Sequence, residues 1–342
     1  MKKILILLTV TLIFTSQVFA GVVKKTKSEV YFKGFGKYTT VQSEKIAGEK
    51  KRVDSDNEFK GKGLLGGMAG KLFLKPGEVG EIIDLPAMTI YKLDHKKKEY
   101  QVTPIKKITV EEKTEEAEEP SYKEEYGETE ESDIKIIRSE FKVNDTGETK
   151  EINEFPSKKY TITWVTEWEN IRTGEKGTDR LFTIVWTTPT TNVIKQAQEE
   201  EMKFAQEYMK RIGLEMDILQ QEILGTNWFS LFGRMSEDKK PRHSESQFAE
   251  EMKKIKGYPV LIDGKYYATR QKPEKTEEEE KTEITDVKKI FGGFAKKAFK
   301  KKSKSKKEPE PTLTYYTELI EFSPVDVGED EFQVPANYRK KE

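Results

Sequence analysis

Alternation of apolar and polar residues is the clearest pattern along the chain, and it predicts antiparallel strands. Four aromatic and aliphatic residues occupy even positions between 160 and 168, and Thr161, Thr163 and Glu167 occupy odd positions between them. A polar turn at 172–177 follows, and the alternation then resumes. We therefore expect a hairpin with one aromatic face, made of Tyr160, Ile162, Trp164, Trp168, Phe182, Ile184 and Trp186.

Shorter alternating segments predict further strands. Residues 91–93 and 100–102 flank a polar turn at 94–97 and predict a second hairpin. The apolar positions between Ile134 and Val143 lead to Asn144-Asp145-Thr146-Gly147, a sequence typical of a turn, and onward to Ile152. Strands return at 258–268 and 314–322. Together these segments predict a meander of antiparallel strands.

The apolar period changes after Pro189 and predicts an amphipathic helix. The helix should begin near Asn192 and run to Leu224, ending at Gly225, with a bend at Gly213. Its apolar face would consist of Met202, Ala205, Met209, Ile212, Met216, Leu219 and Ile223. A shorter helix should follow Ser244 and end at Gly257.

The first twenty residues have the organisation of an export signal. Lys2 and Lys3 precede an apolar run from Ile4 to Phe14, which is too short to span a bilayer, and small residues end at Ala20. Cleavage after Ala20 would leave a mature chain that begins at Gly21. We therefore expect an exported, soluble periplasmic protein.

Composition excludes several kinds of site. The chain has no cysteine, which excludes disulfides, thiolate zinc ligands, a thiol nucleophile and lipid attachment to cysteine. Charged residues make up 36% of the chain, and the 61 basic residues balance the 61 acidic ones. A formal charge near zero argues against a general nucleic-acid binder, which is usually strongly basic.

Two charged segments, at about 105–133 and 271–311, interrupt the strand pattern. We interpret them as surface insertions in one domain that spans residues 21–342. The second is also consistent with a basic amphipathic helix that touches anionic membranes through Phe291, Phe294, Lys296, Lys297 and Lys300. The alternative is a disordered loop whose lysines pair with the acidic block at 277–280.

No residue pattern indicates catalysis, a cofactor or a metal. The two histidines, His95 and His243, lack metal-ligand spacing, and no nucleophile accompanies a base and an orienting group. Gly61, Gly63 and Gly66 have the spacing of a dinucleotide-binding loop, but the preceding residues 54–60 are charged and do not predict a buried strand. We therefore expect a protein that is not an enzyme.

Several short motifs follow one another between residues 81 and 338. They are Ile83-Asp84, Tyr91-Lys92-Leu93-Asp94, Lys97-Lys98-Glu99-Tyr100, Thr146-Gly147-Glu148-Thr149-Lys150-Glu151-Ile152, Trp186-Thr187-Thr188-Pro189, Gly257-Tyr258-Pro259-Val260, Thr317-Glu318-Leu319-Ile320 and Phe332-Gln333-Val334-Pro335-Ala336-Asn337-Tyr338. Their order resembles a large family of exported bacterial proteins whose fold is similar to that of the LolA and LolB lipoprotein carriers. The resemblance implies an α+β fold in which a strongly curved antiparallel sheet, an incompletely closed barrel, wraps around covering helices.

Two functions fit these expectations. The first is a periplasmic carrier for a lipid, an acyl chain or a lipoprotein, in which the aromatic face of the sheet binds the ligand. Met209 and Met216 would form an adjustable cover, since flexible thioethers repack around irregular chains. The second is a structural or interaction protein of the envelope whose core is filled by its own helices and which binds no small molecule.

Overall fold

The computed structural model describes residues 21–62, 77–108, 133–214, 245–271 and 310–341. These residues form twelve strands, two helices and a short 3₁₀ turn at Glu329–Phe332. The strands are β1 (Gly21–Phe32), β2 (Gly36–Ala47), β3 (Lys50–Gly61), β4 (Gly77–Asp84), β5 (Thr89–Asp94), β6 (Glu99–Pro104), β7 (Ile134–Ile152), β8 (Phe155–Asn170), β9 (Lys176–Thr188), β10 (Tyr258–Gln271), β11 (Leu313–Val325) and β12 (Arg339–Lys340). The helices are α1 (Asn192–Arg211) and α2 (Glu245–Met252).

All twelve strands belong to one sheet. Their order is β12-β6-β5-β4-β3-β2-β1-β11-β10-β9-β8-β7, and every neighbouring pair is antiparallel except β12 with β6. The order has two ends, so the sheet formed by the described residues is not closed. The predicted antiparallel meander is therefore confirmed, and the sheet is larger than the sequence pattern indicated.

Strands β1, β2 and β3 were not expected from the sequence. They occupy the middle of the sheet and are rich in lysine, glutamate, aspartate and threonine. Most of their side chains are half-buried on both faces, which removes the contrast between apolar and polar positions on which strand prediction relies. Residues 54–60 thus lie in β3, although this strand is not a buried one.

The turn expected at Asn144–Gly147 is wrong. Strand β7 continues through this segment, where its pairing with β8 shifts between Asp145 and Thr149 and Gly147 has a φ of +72°. The segment is therefore a bulge inside one strand. The chain reverses instead at Asn153 and Glu154, which both have positive φ, as a two-residue hairpin turn requires.

Helix α1 begins where the sequence predicted and ends earlier. The Thr191 hydroxyl accepts a hydrogen bond from the amide of Ile194 at 3.3 Å and caps the first turn. The helix ends at Arg211, and Gly213 follows with a φ of +82°, a conformation that stops a helix. Gly213 therefore terminates α1 and does not bend it.

The apolar face expected for α1 is confirmed at the C-terminal end, where Ile212 is buried and Met209 packs against the same core cluster, but it is offset by one residue in the middle of the helix. The buried residues are Ile194, Ala197 and Phe204, whereas Met202 and Ala205 are half-buried beside them. Glu201 lies on the buried face at a helical spacing from Ala197 and Phe204. Because a glutamate is not expected in such a position, the apolar pattern pointed to the neighbouring Met202.

Each helix has a contact on the same face of the sheet. On α1, Glu201 contacts Lys24 of β1, and on α2, Phe248 packs against Phe141 of β7 with ring centroids 4.6 Å apart. The pairing registers place Lys24 and Phe141 on the same face, which we call the helix face. Neither helix is long and apolar enough to span a membrane.

Candidate functional site

The hairpin of β8 and β9 is confirmed, but its single aromatic face is wrong. Ile162 pairs with Thr183 and Trp164 with Leu181, whereas Trp186 pairs with Lys159. Directly paired residues share a face, so even positions of β8 lie with odd positions of β9. Tyr160, Ile162, Trp164 and Trp168 are therefore on the helix face, and Phe182, Ile184 and Trp186 are on the opposite face.

Burial separates these residues further. Tyr160 and Ile162 are 2% and 0% exposed and belong to a core cluster with Val143, Leu181 and Tyr266. Half-buried Trp164 packs against the same cluster. Trp168 is buried, and its indole Nε1 donates to Asp179 Oδ2 at 3.0 Å. The helix-face residues of β8 are thus mainly part of the protein's own core.

The residues on the opposite face have different surroundings. Ile184 and Trp186 belong to a second cluster, which includes Ile152 and Phe155 from the β7–β8 hairpin and the buried residues of α1. The ammonium group of Lys150 lies 4.4 Å from the centroid of the Trp186 ring. Phe182 is 36% exposed. The structure therefore does not bring the seven predicted aromatic and aliphatic residues together.

The predicted cover is placed differently too. Helix α1 packs on β1, β2 and β11, and half-buried Met209 contacts the second cluster there. Met216 lies outside the described residues. So do the predicted membrane-contact residues Phe291, Phe294, Lys296, Lys297 and Lys300.

Pairing registers reveal a longer row of mainly apolar residues on the helix face, which crosses eight strands and which we call the apolar row. From β7 to β3 it consists of Val143, Ile162, Thr183, Gly264, Tyr315, Val30, Tyr38 and Phe59. Its residues are buried in β7 to β10 and half-buried in β11 and β1 to β3. Phe32, on the same face of β1, is 43% exposed. We call Val30, Phe32, Tyr38, Phe59 and Tyr315 the apolar patch.

A band of uncharged polar side chains borders the apolar patch. Ser28 Oγ and Thr317 Oγ1 are 2.8 Å apart, the Thr317 hydroxyl donates to the Tyr315 hydroxyl oxygen at 2.7 Å, and Thr40 Oγ1 donates to Asn57 Oδ1 at 2.9 Å. Burial raises the pKa of Tyr315 above its usual value, so its hydroxyl stays neutral. The neutral band consists of Thr26, Ser28, Thr40, Gln42, Ser55, Asn57 and Thr317.

A charged cluster lies beyond the neutral band and fixes α1 to the sheet. Lys24 Nζ is 2.9 Å from Glu201 Oε1, and Lys51 Nζ is 2.5 Å from Glu44 Oε2. Lys24 also lies over the stacked rings of Tyr258 and Phe322, at 6.0 and 5.7 Å from their centroids. The charges at this end of the site are therefore paired within the protein.

The electrostatics of this cluster stabilise the charged lysine. Burial alone would lower the pKa of Lys24, but its interactions with Tyr258, Glu201 and Glu44 outweigh burial and raise the pKa. Burial raises the pKa of Tyr258 to about 12. Burial also opposes ionisation of Glu44, yet the charges of Lys51 and Lys24 hold its pKa below the usual value. At neutral pH Lys24 is therefore an ammonium group, Glu44 a carboxylate and Tyr258 a neutral phenol.

Sequence reasoning missed a hydrogen-bonded chain on the opposite face. His95 Nε2 is 2.9 Å from Asp54 Oδ1, and His95 Nδ1 is 2.7 Å from the Tyr338 hydroxyl. Arg52 Nε donates to Asp54 Oδ2 at 2.7 Å, so an ionised Asp54 accepts from both neighbours. In neutral His95 the proton is then on Nε2, and Nδ1 accepts from Tyr338.

This chain anchors the C-terminal segment to the sheet. Asp54, His95 and Tyr338 come from β3, the turn after β5 and the C-terminal segment, so no local motif could have indicated them. Lys45 and Arg52 also bind Glu331, through its carboxylate at 2.7 Å and its carbonyl oxygen at 3.0 Å. Since each polar atom of the chain faces another residue of the protein, we assign it a structural role.

No family model, curated protein or solved structure matches this chain. The apolar patch and the neutral band are therefore the candidate site on geometry alone.

Proposed function

We propose that the protein is a non-enzymatic carrier for a lipid, an acyl chain or a lipoprotein at the cell envelope, and that the ligand binds on the apolar patch. The observation that carries this proposal is the apolar row, which is buried in β7 to β10 and half-buried in β11 and β1 to β3. The outer part of the row begins at Val30 and Tyr315, which pack against the first core cluster, and the apolar patch includes exposed Phe32; an apolar surface that reaches solvent is typical of a binding site.

The size of the patch suits an acyl chain. It crosses four adjacent strands, β11, β1, β2 and β3, which at about 4.8 Å between strands spans roughly 14 Å. Each methylene group removed from water contributes about 0.8 kcal/mol, so eight methylenes would contribute about 6 kcal/mol before the cost of ordering the chain. This is enough for reversible binding of a lipid.

The proposal also includes export of the protein and a curved sheet that is covered by helices. Each helix contacts a residue of the face that carries the patch, α1 through Lys24 and α2 through Phe141. The proposed anionic-membrane contact through residues 288–307 would bring the carrier to its lipid source. Sequencing the N terminus of the protein secreted by its own host tests the cleavage, with Gly21 as the expected first residue.

Binding of an uncharged fluorescent probe tests the site. N-phenyl-1-naphthylamine fluoresces in apolar surroundings, and titration of the full mature chain should give a saturable increase. Val30→Asp places a carboxylate in the patch and should raise the Kd at least tenfold, or about 1.4 kcal/mol. Val41→Asp is a matched control, because Val41 is half-buried in β2 and pairs with Lys27 on the opposite face.

The probe titrations of the two variants and the wild-type chain distinguish a binding site on the patch from its absence. Loss of binding in Val30→Asp with less than a twofold change in Val41→Asp supports the site, provided that circular dichroism shows both variants folded. Equal effects of the two substitutions, or absence of probe binding by the wild-type chain, contradict it. Native mass spectrometry of protein from its own envelope should further detect a co-purifying lipid.

A second function, an envelope interaction protein with a filled core, is favoured by one observation. Tyr160, Ile162 and Trp168, which were expected to contact the ligand, are buried by the protein's own side chains. A wild-type chain that carries no lipid and binds no probe would favour this function over the carrier.

A further inference from the structure

We infer that the ligand is an amphiphile whose polar head is uncharged and rich in hydrogen-bonding groups, such as the sugar of a glycolipid. This inference rests on the proposed function, because it concerns the head group of a molecule whose chain lies on the apolar patch. It follows from the chemistry of the neutral band, which borders the patch on β11, β1, β2 and β3.

The absence of charge in the band is specific to this face. In β3 the helix-face residues from 53 to 59 are Val53, Ser55, Asn57 and Phe59, whereas the alternate residues on the opposite face are Asp54, Asp56, Glu58 and Lys60. In β1, Thr26, Ser28 and Val30 alternate in the same way with Lys25, Lys27 and Glu29. In a chain with 36% charged residues, a solvated face would resemble the charged one.

The band offers hydroxyl and amide groups in reach of a ligand's head. Ser28, Thr40 and Thr317 each have a hydroxyl that donates once and accepts twice, and Asn57 has an amide that does both. Their present hydrogen bonds to one another, at 2.8 Å for Ser28 with Thr317 and 2.9 Å for Thr40 with Asn57, leave further acceptor sites. Sugar hydroxyls match such a surface because they also donate and accept.

A charged head would find no free counter-ion in the band. On β1 and β2 the next charges on this face, Lys24 and Glu44, already pair with Glu201 at 2.9 Å and Lys51 at 2.5 Å, and beyond β3 the pairing registers place Glu81 and Lys92 opposite each other. A phosphate or carboxylate would lose its hydration in exchange for neutral partners only, which is unfavourable for an ion. The geometry thus favours a neutral head over an anionic one.

Competition between detergents with the same chain tests the inference. Dodecyl maltoside and dodecyl phosphate, both below their critical micelle concentrations, are titrated into the protein loaded with N-phenyl-1-naphthylamine. Dodecyl maltoside should displace the probe at a concentration at least tenfold lower than dodecyl phosphate. The ratio of the two concentrations is the measured quantity, so a general loss of affinity leaves it unchanged.

Two conservative variants locate the preference. Thr40→Val and Ser28→Ala remove a hydroxyl from the band and should reduce the ratio at least threefold, while the probe itself still binds. Thr39→Val is the matched control, because Thr39 pairs with Glu29 and Glu58 on the opposite face. It should leave the ratio unchanged.

Different results would contradict the neutral head group and the carrier function. If both detergents displace the probe equally, or dodecyl phosphate does so at lower concentration, the neutral-head inference is wrong and the carrier stands. If the probe does not bind the wild-type chain, the carrier proposal fails as well, and the patch is covered by the chain itself. An unchanged ratio in Thr40→Val and Ser28→Ala also overturns the role of the band.

Discussion

Replacement of Lys24 by methionine tests how α1 is held on the sheet. Lys24 binds Glu201 of the helix at 2.9 Å, and both side chains are about one-fifth exposed. The substitution keeps most of the side-chain volume and removes the charge. Glu201 would then remain beneath the helix without its lysine, while Glu44 would keep Lys51 at 2.5 Å.

The expected destabilisation is about 3 kcal/mol. Removing one partner of a buried ion pair typically costs about 3–5 kcal/mol, because the remaining charge is desolvated without compensation. Partial exposure of this pair places the effect at the lower end of that range. With an m-value of about 3 kcal/mol/M, the urea midpoint measured by tryptophan fluorescence should fall by about 1 M.

A double substitution distinguishes the charge from the packing. Lys24→Met with Glu201→Met replaces the pair by two apolar side chains beside the stacked rings of Tyr258 and Phe322, and should recover most of the lost stability. Arg138→Gln, in an exposed ion pair with Glu140, should leave the midpoint unchanged. A Lys24→Met variant as stable as wild type, or a double variant no more stable than the single one, would refute the reasoning.

Three further predictions concern other parts of the molecule. Burial raises the pKa of Tyr258 to about 12, whereas the unfolded chain ionises near pH 10; stability should therefore fall between about pH 10 and 12, and urea midpoints of Tyr258→Phe should fall less steeply there. Gly177→Ala would place a Cβ against the Trp168 ring, closer than atoms normally approach, and should cost about 2 kcal/mol, seen as a lower Tm; an unchanged Tm contradicts this contact. Deletion of residues 286–307, which lie outside the described residues, should reduce sedimentation with anionic vesicles without changing circular dichroism; unchanged sedimentation would exclude this membrane contact.

The helix start, the hairpin and the strands that depend on residues close together in the sequence were predicted correctly. The start of α1 followed from Thr191 and the preceding Pro189, because an N-cap is a contact within one turn. The hairpin of β5 and β6 followed from a polar turn, in which Asp94 Oδ1 accepts from the amide of Lys97 at 2.9 Å. Strands β10 and β11 followed from their alternating apolar residues.

The features that the sequence did not predict depend on contacts between residues far apart in the chain. Glu201 is only about one-fifth exposed on α1, where it meets Lys24, which is 177 residues away in the sequence. Similarly, Asp54 and Tyr338 reach His95 from 41 and 243 residues away. A periodicity that counts only apolar residues cannot assign a glutamate to a buried face, so it chose Met202 over Glu201.

The pairing register of the strands determines which residues share a face at the candidate site. A shift of one residue in the turn between β8 and β9 would exchange Leu181 and Val185 for Phe182 and Trp186 on the helix face. The alternation of apolar and polar residues within each strand is the same in both registers, so it does not predict which register forms. The alternation of charged and uncharged residues in β1 and β3 does not depend on the pairing register, because the charged and the uncharged positions lie on the same strand. Ser55 and Asn57 among Asp54, Asp56 and Glu58 identify a face without charges before any pairing is known. Because this uncharged face borders the half-buried apolar patch, we propose that a ligand be sought there and not at the aromatic residues of β9.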